Sequence, residues 1–265
     1  MAKISTLNYP ITGKFGNVSI YFRKDCKKPI IRMKTGASKE KIMTDLRMEG
    51  TRNQMSRFGG ISNAGKSIRL AMSDIKHLGH SMISGELVAL CGKIMDLDLS
   101  KPESGKQSIL FSNGLSMLRG YNLNLSNVFD SVISAPVAFS INRQGQNATI
   151  ELPELIPGSN FRNPWELPFF RVRMSFGIIR DLYFDGSRYV AYTPVVNEHS
   201  LSVDTEWLST KDLFPAQHFE MQFDDVVFDE HCHFLLAIGI EFGTQLKGGI
   251  GAVKDAKCLK ILGVE

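Results

Sequence analysis

The sequence predicts an α+β protein that is mainly β: an N-terminal β-hairpin and two to three helices, followed by a C-terminal antiparallel β-sandwich, immunoglobulin-like or jelly-roll-like. Three observations predict it. Two short runs of alternating apolar residues flank a polar turn between residues 16 and 34. Between residues 51 and 97, apolar residues recur every three or four positions. After Asn122 come about eight short apolar runs separated by turn residues, with no helical pattern between them, which favours two stacked sheets over a parallel α/β sheet. The change of texture sets a boundary near 125–135, giving a basic hairpin-plus-helix region over 1–130 and a sandwich over 131–265.

Each element follows from its residues. Residues 1–12 read as an extended lead-in, with Pro10 opposing helix. Val18, Ile20 and Phe22 alternate on one face of a strand, residues 24–28 make a basic turn, and residues 29–34 run out again as the second strand. A two-stranded hairpin is marginal alone and must pack on the body or on a neighbour. Residues 35–50 suit a short helix or an ordered loop. Met55, Phe58, Ile61 or Ser62, Gly65, Ile68, Met72 and Ile75 form a helical stripe, interrupted by Gly59 and Gly60, each costing about 1 kcal/mol relative to alanine. A second helix is predicted from Ser81 to Leu97, and a poorer one, broken by Gly114 and Gly120, from Gly105 to Tyr121. Strands are predicted over 137–141, 148–152, 169–183, 189–196, 201–207, 218–223, 233–242 and 258–264.

Composition is ordinary for a globular chain, 43% hydrophobic and 22% charged. No apolar run approaches the roughly 18 residues of a membrane span, and the first residues lack a secretory h-region, so the expected location is the cytoplasm or a particle assembled there. The four cysteines show no C-x-x-C pairing and are expected as free thiols. Residues 1–76 hold 16 Lys+Arg against 5 Asp+Glu, whereas the rest hold 15 against 22. That split suggests a basic region meeting nucleic acid, an acidic partner or the next copy of the chain. The residues expected to make such contact are Arg23, Lys24, Lys27, Lys28, Arg32, Arg47, Arg52, Arg57, Lys66 and Arg69, interleaved with Tyr21, Phe22 and Phe58. A solvated basic face is the bland alternative.

Gly60 to Ser67 fits G-x-x-x-x-G-K-[ST], the pattern of a phosphate-cradling loop with Gly60, Gly65, Lys66 and Ser67 as its key residues. The polar residues 52–57 before it do not suit the buried strand that delivers such a loop, so a glycine-containing basic helix is the preferred reading. His231 and His233 lie at i and i+2, on one face of a strand, and could begin a metal site with Glu230, Glu241 or His218; an exposed pair at a strand start is preferred. Asp181 and Asp185 stand where turns favour aspartate. Trp165 and Trp207 could build a sugar-stacking platform, though packing is the commoner use of tryptophan. No nucleophile-elbow motif is present.

The residues Gly13-Lys14-Phe15-Gly16-Asn17-Val18, Tyr21-Phe22-Arg23-Lys24, Thr51-Arg52-Asn53, Phe58-Gly59 and Ala64-Gly65-Lys66-Ser67-Ile68-Arg69 resemble a hypothetical-protein family of Bacteroidota and their mobile elements. The closing segments 236–242 and 258–262 look similar to that family's last strands. The resemblance implies no catalytic residues, and it implies that the glycines belong to a helical pattern. The expectation is a non-enzymatic structural or interaction protein without a cofactor, such as a virion or other particle component, self-associating or binding another protein. The alternatives are a carbohydrate- or small-ligand-binding sandwich and, more weakly, a phosphate-loop NTPase.

Overall fold

The computed structural model describes residues 2–3, 12–22, 28–33, 36–100, 106–193, 200–224 and 228–265. The chain is α+β and mainly β, and it divides into two compact units, Met1–Met55 and Ser56–Glu265.

In the first unit, β1 (Ala2–Lys3), β2 (Gly13–Phe15), β3 (Val18–Tyr21) and β4 (Ile30–Met33) form an antiparallel sheet in the order β1-β4-β3-β2. The predicted hairpin is the β3–β4 pair; the tip at residues 24–27 lies outside the described residues. Helix α1 (Lys39–Thr44) starts where the Ser38 side chain accepts the Lys41 N–H, and Asp45 then caps the 3₁₀ turn Leu46–Met48 by accepting the Arg47 N–H. Arg52 donates to the carbonyls of Ile42 and Asp45, both at 2.8 Å, closing the end of α1.

Helix α2 (Glu49–Leu70) is continuous through Gly59 and Gly60, and the division between units falls within it. Of the predicted stripe, Gly65, Ile68, Met72 and Ile75 are buried, Ile61 is half-buried, and Met55 and Phe58 are exposed; Gly60 and Ala64, outside the stripe, are buried as well. In the second unit α3 (Ile83–Asp96) follows, burying Leu87, Leu90, Cys91 and Ile94 as its spacing predicts. The third expected helix is a 3₁₀ turn at Phe111–Asn113 and α4 (Leu115–Leu118), which meet at Gly114, where a Cβ would lie 2.6 Å from Ile94; α5 (Phe129–Val132) ends the helical region.

The strands come next: β5 (Ala138–Asn142), β6 (Asn147–Leu152), β7 (Phe169–Arg180), β8 (Leu182–Phe184), β9 (Tyr189–Ala191), β10 (Ser200–Asp204), β11 (Leu208–Ser209), β12 (Gln217–Gln222), β13 (Cys232–Leu246) and β14 (Gly249–Val264). They build a large antiparallel sheet, β10-β7-β13-β14 with β11 beside β7, and a three-stranded sheet, β12-β6-β5. Alternation sends Phe170, Val172, Met174, Phe176 and Ile178 of β7 into one core with the small sheet, where Phe234, Leu236, Ile238, Ile240 and Phe242 of β13 join them. The opposite face of the same sheet, with Ile179, Leu235, Ala237, Leu259 and Ile261, packs on Ala64, Ile68, Met72, Ile75, Leu87 and Ile94. The large sheet is thus covered on both faces, the situation in which strands read as unbroken apolar runs.

Burial pushes the Cys91 thiol up to about 12 and the Cys258 thiol up as well, so both stay protonated and inert. Asp98, 3% exposed, is an electrostatic tie. Its Oδ1 accepts the Ser100 N–H at 2.9 Å and its Oδ2 the Ser108 N–H at 2.6 Å. Burial acts to raise its pKa, but hydrogen bonds from Ser100 and Ser108 outweigh burial and hold the carboxyl below the usual range. A carboxyl depressed by folding stabilises above its unfolded value near 4, and that contribution disappears as pH falls through the folded value. Asp98→Asn is therefore expected to cost about 1–3 kcal/mol at neutral pH, and urea melts should show the gap to the parent closing below about pH 4.

Candidate interaction surface

The four-stranded sheet of the first unit has one apolar face and one basic face. Register places Phe15 opposite Val18 and Val18 opposite Met33, and Ile20 opposite Ile31, so these five side chains share a face. Lys14, Ser19 and Arg32 form a row on the reverse, beside Tyr21 and Ile30. Phe15 is 61% exposed and Met33 65%, while Val18, Ile20 and Ile31 are only half-buried. Among the described residues from 12 to 55, only Pro29 and Ile30 are buried. Helix α1 buries nothing, and Leu46 beyond it is 85% exposed. Among the described residues, the apolar side chains on the Phe15–Met33 face are half-buried or exposed, and none is fully buried.

The cations expected to form one basic surface have different roles. Arg23, Lys24 and Lys27 lie outside the described residues. Lys28, Arg32 and Lys66 are exposed, and Arg47 is exposed beside Asp45 at 3.3 Å. Arg52 is held by the two carbonyls it caps. Arg57 is committed to Asp96 at 2.7 Å and to Gln107, and the Arg69 Nη1 is buried without a hydrogen-bond partner. Among the described residues of the first unit, the exposed cations outside any ion pair are Lys14 and Arg32 on the basic sheet face, Lys28 just before the strand that carries Arg32, and Lys39 and Lys41 on α1.

Gly60 to Ser67 lies in the middle of α2, so the stretch has no strand and no loop whose N–H groups could point at a phosphate. Its glycines serve contact instead. A Cβ at Gly60 would lie 2.6 Å from the Tyr189 ring, and one at Gly65 would press on Val88 of α3 at 3.3 Å. Asn63 donates to the Tyr189 carbonyl, and the Tyr189 hydroxyl donates to the Gln107 carbonyl, which fixes that ring over the helix.

His231 and His233 share a face, but what they meet is Asp181, 2% exposed. Its Oδ2 lies 3.3 Å from His231 Nδ1 and its Oδ1 lies 3.1 Å from His233 Nε2, while Oδ1 also accepts the Phe111 N–H at 2.7 Å. Tyr192 stacks on His231 with centroids 4.0 Å apart. The histidines and the carboxylate tie three segments together, and Glu230 stands 3.9 Å from His231. The other imagined ligands are elsewhere: His218 pairs with Glu151 on the small sheet, and Glu241 sits among arginines. Among the described residues, no group of three His, Cys, Asp or Glu side chains is arranged to hold a metal ion.

The two tryptophans occupy opposite faces of the large sheet. Trp165 packs on Phe242 on the small-sheet side, whereas Trp207 lies against Gly243 on the other side, beneath the Arg171 guanidinium. They form no common platform. Around Trp207 a charged cluster gathers on Glu241: Arg171 Nε at 2.6 Å, His77 Nε2 at 3.5 Å and Arg173 at 3.7 Å, with Arg173 also gripping Asp204 at 2.8 Å. Sequence reasoning missed this cluster, although two arginines spaced i and i+2 in an apolar strand were a visible signal for a buried acidic partner.

No helix of the described residues is long and apolar enough to cross a membrane. Comparison with protein-family models, with curated proteins and with solved structures gives no match to this chain.

Proposed function

We infer that the chain is a non-enzymatic structural or interaction protein whose first unit is its contact surface, engaging an acidic partner through Lys14, Lys28 and Arg32. The observation that carries this reading is a sheet in the first unit with the exposed apolar side chains of Phe15 and Met33 on one face and the exposed cations Lys14 and Arg32 on the other. A sheet with short strands is marginally stable without a packed face, and contiguous exposed apolar surface marks sites of association. Charge supports the same reading, since residues 1–55 carry 12 Lys+Arg against 4 Asp+Glu and residues 56–265 carry 19 against 23. A subunit of an assembled particle fits this distribution, as does an adaptor that meets nucleic acid or an acidic protein.

The test is binding to heparin, single-stranded DNA and poly-glutamate across a salt titration. Binding should weaken steeply as salt rises, and the triple variant Lys14→Glu/Lys28→Glu/Arg32→Glu should bind at least about tenfold more weakly. A chain that ignores all three polyanions at low salt would sink the reading.

A further inference from the structure

In the second unit, β14 is an edge of the large sheet and β5 an edge of the small one. Phe139 of β5 pairs with buried Ile150, and Leu262 of β14 belongs to the core between the sheets, so both side chains point into the inter-sheet space. The Phe139 ring lies over Gly263, where a Cβ would stand 2.4 Å from it. At this side of the two sheets a cleft of about 430 Å³ opens. Phe129 and Leu262, both buried, and the more exposed Val137 and Phe139 supply its apolar lining. Its ionisable lining is Arg119, Asp130 and Lys260.

The backbone places Arg119 at this cleft. Just past α4, the Gly120 N–H donates to the Ile261 carbonyl at 2.9 Å and the Leu123 N–H to the Leu259 carbonyl at 2.8 Å, which lays the chain along the outer edge of β14. Gly120 turns there with φ +75°, a conformation glycine adopts without strain. Charge in the lining does not cancel. Lys260 Nζ sits 2.6 Å from Asp130 Oδ1, whereas Arg119 is exposed and, among the described residues, in no ion pair or side-chain hydrogen bond. One unmatched guanidinium stands beside apolar walls.

We propose that this cleft binds a small carboxylic acid with an apolar body, its carboxylate on the Arg119 guanidinium and its body against Val137, Phe139 and Leu262. A planar guanidinium holds a carboxylate through two parallel N–H···O bonds. The volume falls within the roughly 300–1,000 Å³ of small-molecule sites, which are lined mainly by apolar side chains with a few polar groups that fix orientation. A single unmatched positive charge suits a monoanion; the second charge of a phosphate monoester would meet Asp130 instead. The site lies wholly in the second unit and does not depend on polyanion binding by the first.

Calorimetric titration of the full chain with phenylbutyrate, phenylbutanol and phenylbutylamine tests this. The three probes share one apolar body and differ only in the charge at its end, so the comparison needs no variant. The acid should bind at least about tenfold more tightly than the alcohol, and the amine should bind more weakly than either. Arg119→Gln should erase the acid's advantage and leave the alcohol's affinity unchanged. Phe139→Ala should weaken acid and alcohol alike. Lys66→Gln, on the helix that packs against the opposite face of the large sheet, should change neither. No binding of the acid, equal affinity for acid and alcohol, or an acid preference that survives Arg119→Gln overturns the proposal. Heparin binding by the same chain then reports on the first unit separately.

Discussion

Gly177→Val is expected to abolish the folded state of the second unit, and Gly177→Ala to cost more than about 4 kcal/mol in a chemical-denaturation measurement. A Cβ at Gly177 would fall 2.5 Å from the Ala71 Cα and closer still to the Ala71 carbonyl oxygen. Those are backbone atoms, so no rotamer change relieves the clash. Gly177 pairs with Leu235 on one side and Ser200 on the other, in a central strand that cannot move without its neighbours. The backbone just past α2 rests directly on this bare position, and the Ser175 hydroxyl donates to the Ala71 carbonyl beside it. Lifting the chain there would strip Met72 and Ile75 from the second core. Gly59→Ala is the control: its Cβ would meet nothing within 4 Å in an exposed helical turn, and the variant should gain about 0.5–1 kcal/mol. Opposite signs for the two glycines would show that the close backbone contact at Ala71, and not a general effect of adding a methyl group, retains Gly177.

The strands were legible because alternation and turn residues report a pleated surface directly: the expected runs 137–141 and 148–152 became β5 and β6 within a residue. The helical stripe of α2 was legible as periodicity, but periodicity reports which side chains could share a face and not what covers them. Met55 and Phe58 satisfied the spacing and are bare, while Gly60 and Ala64, weak in hydropathy, carry the tightest contact. Coverage of the large sheet on both sides was latent in the unbroken run Phe234 to Ile240, which a one-sided sandwich strand does not require. The shared face of His231 and His233 followed from strand period, whereas their partner Asp181 lies 50 residues upstream, at a separation no local pattern encodes. The bare apolar face was half visible in Val18, Ile20 and Phe22; that Phe15 and Met33 extend it across three strands depends on register.

Glu241→Ala is expected to destabilise the second unit by about 3 kcal/mol, the lower end for breaking a buried ion pair, because Arg171 remains about a quarter exposed and water screens it. Glu241 is 2% exposed, on a strand whose other face is all core. Its carboxylate accepts from Arg171 at 2.6 Å, and Arg173 and His77 lie within 4 Å, so removing it leaves cations facing one another. Arg173 keeps its two-pronged grip on Asp204, at 2.9 and 2.8 Å, so the loss falls mainly on Arg171, whose guanidinium also roofs Trp207. Arg171→Met/Glu241→Leu should recover most of the deficit, since an apolar pair of similar volume avoids the desolvation that the ion pair carries. A double-mutant cycle by urea denaturation reads the coupling, and the expected sign is that each single change costs more than the pair together. If the double variant were as unstable as the sum of the singles, Glu241 would be acting on more than its arginines. The remaining partner on its Oε2 side is His77, and His77→Gln in the same cycle would identify it.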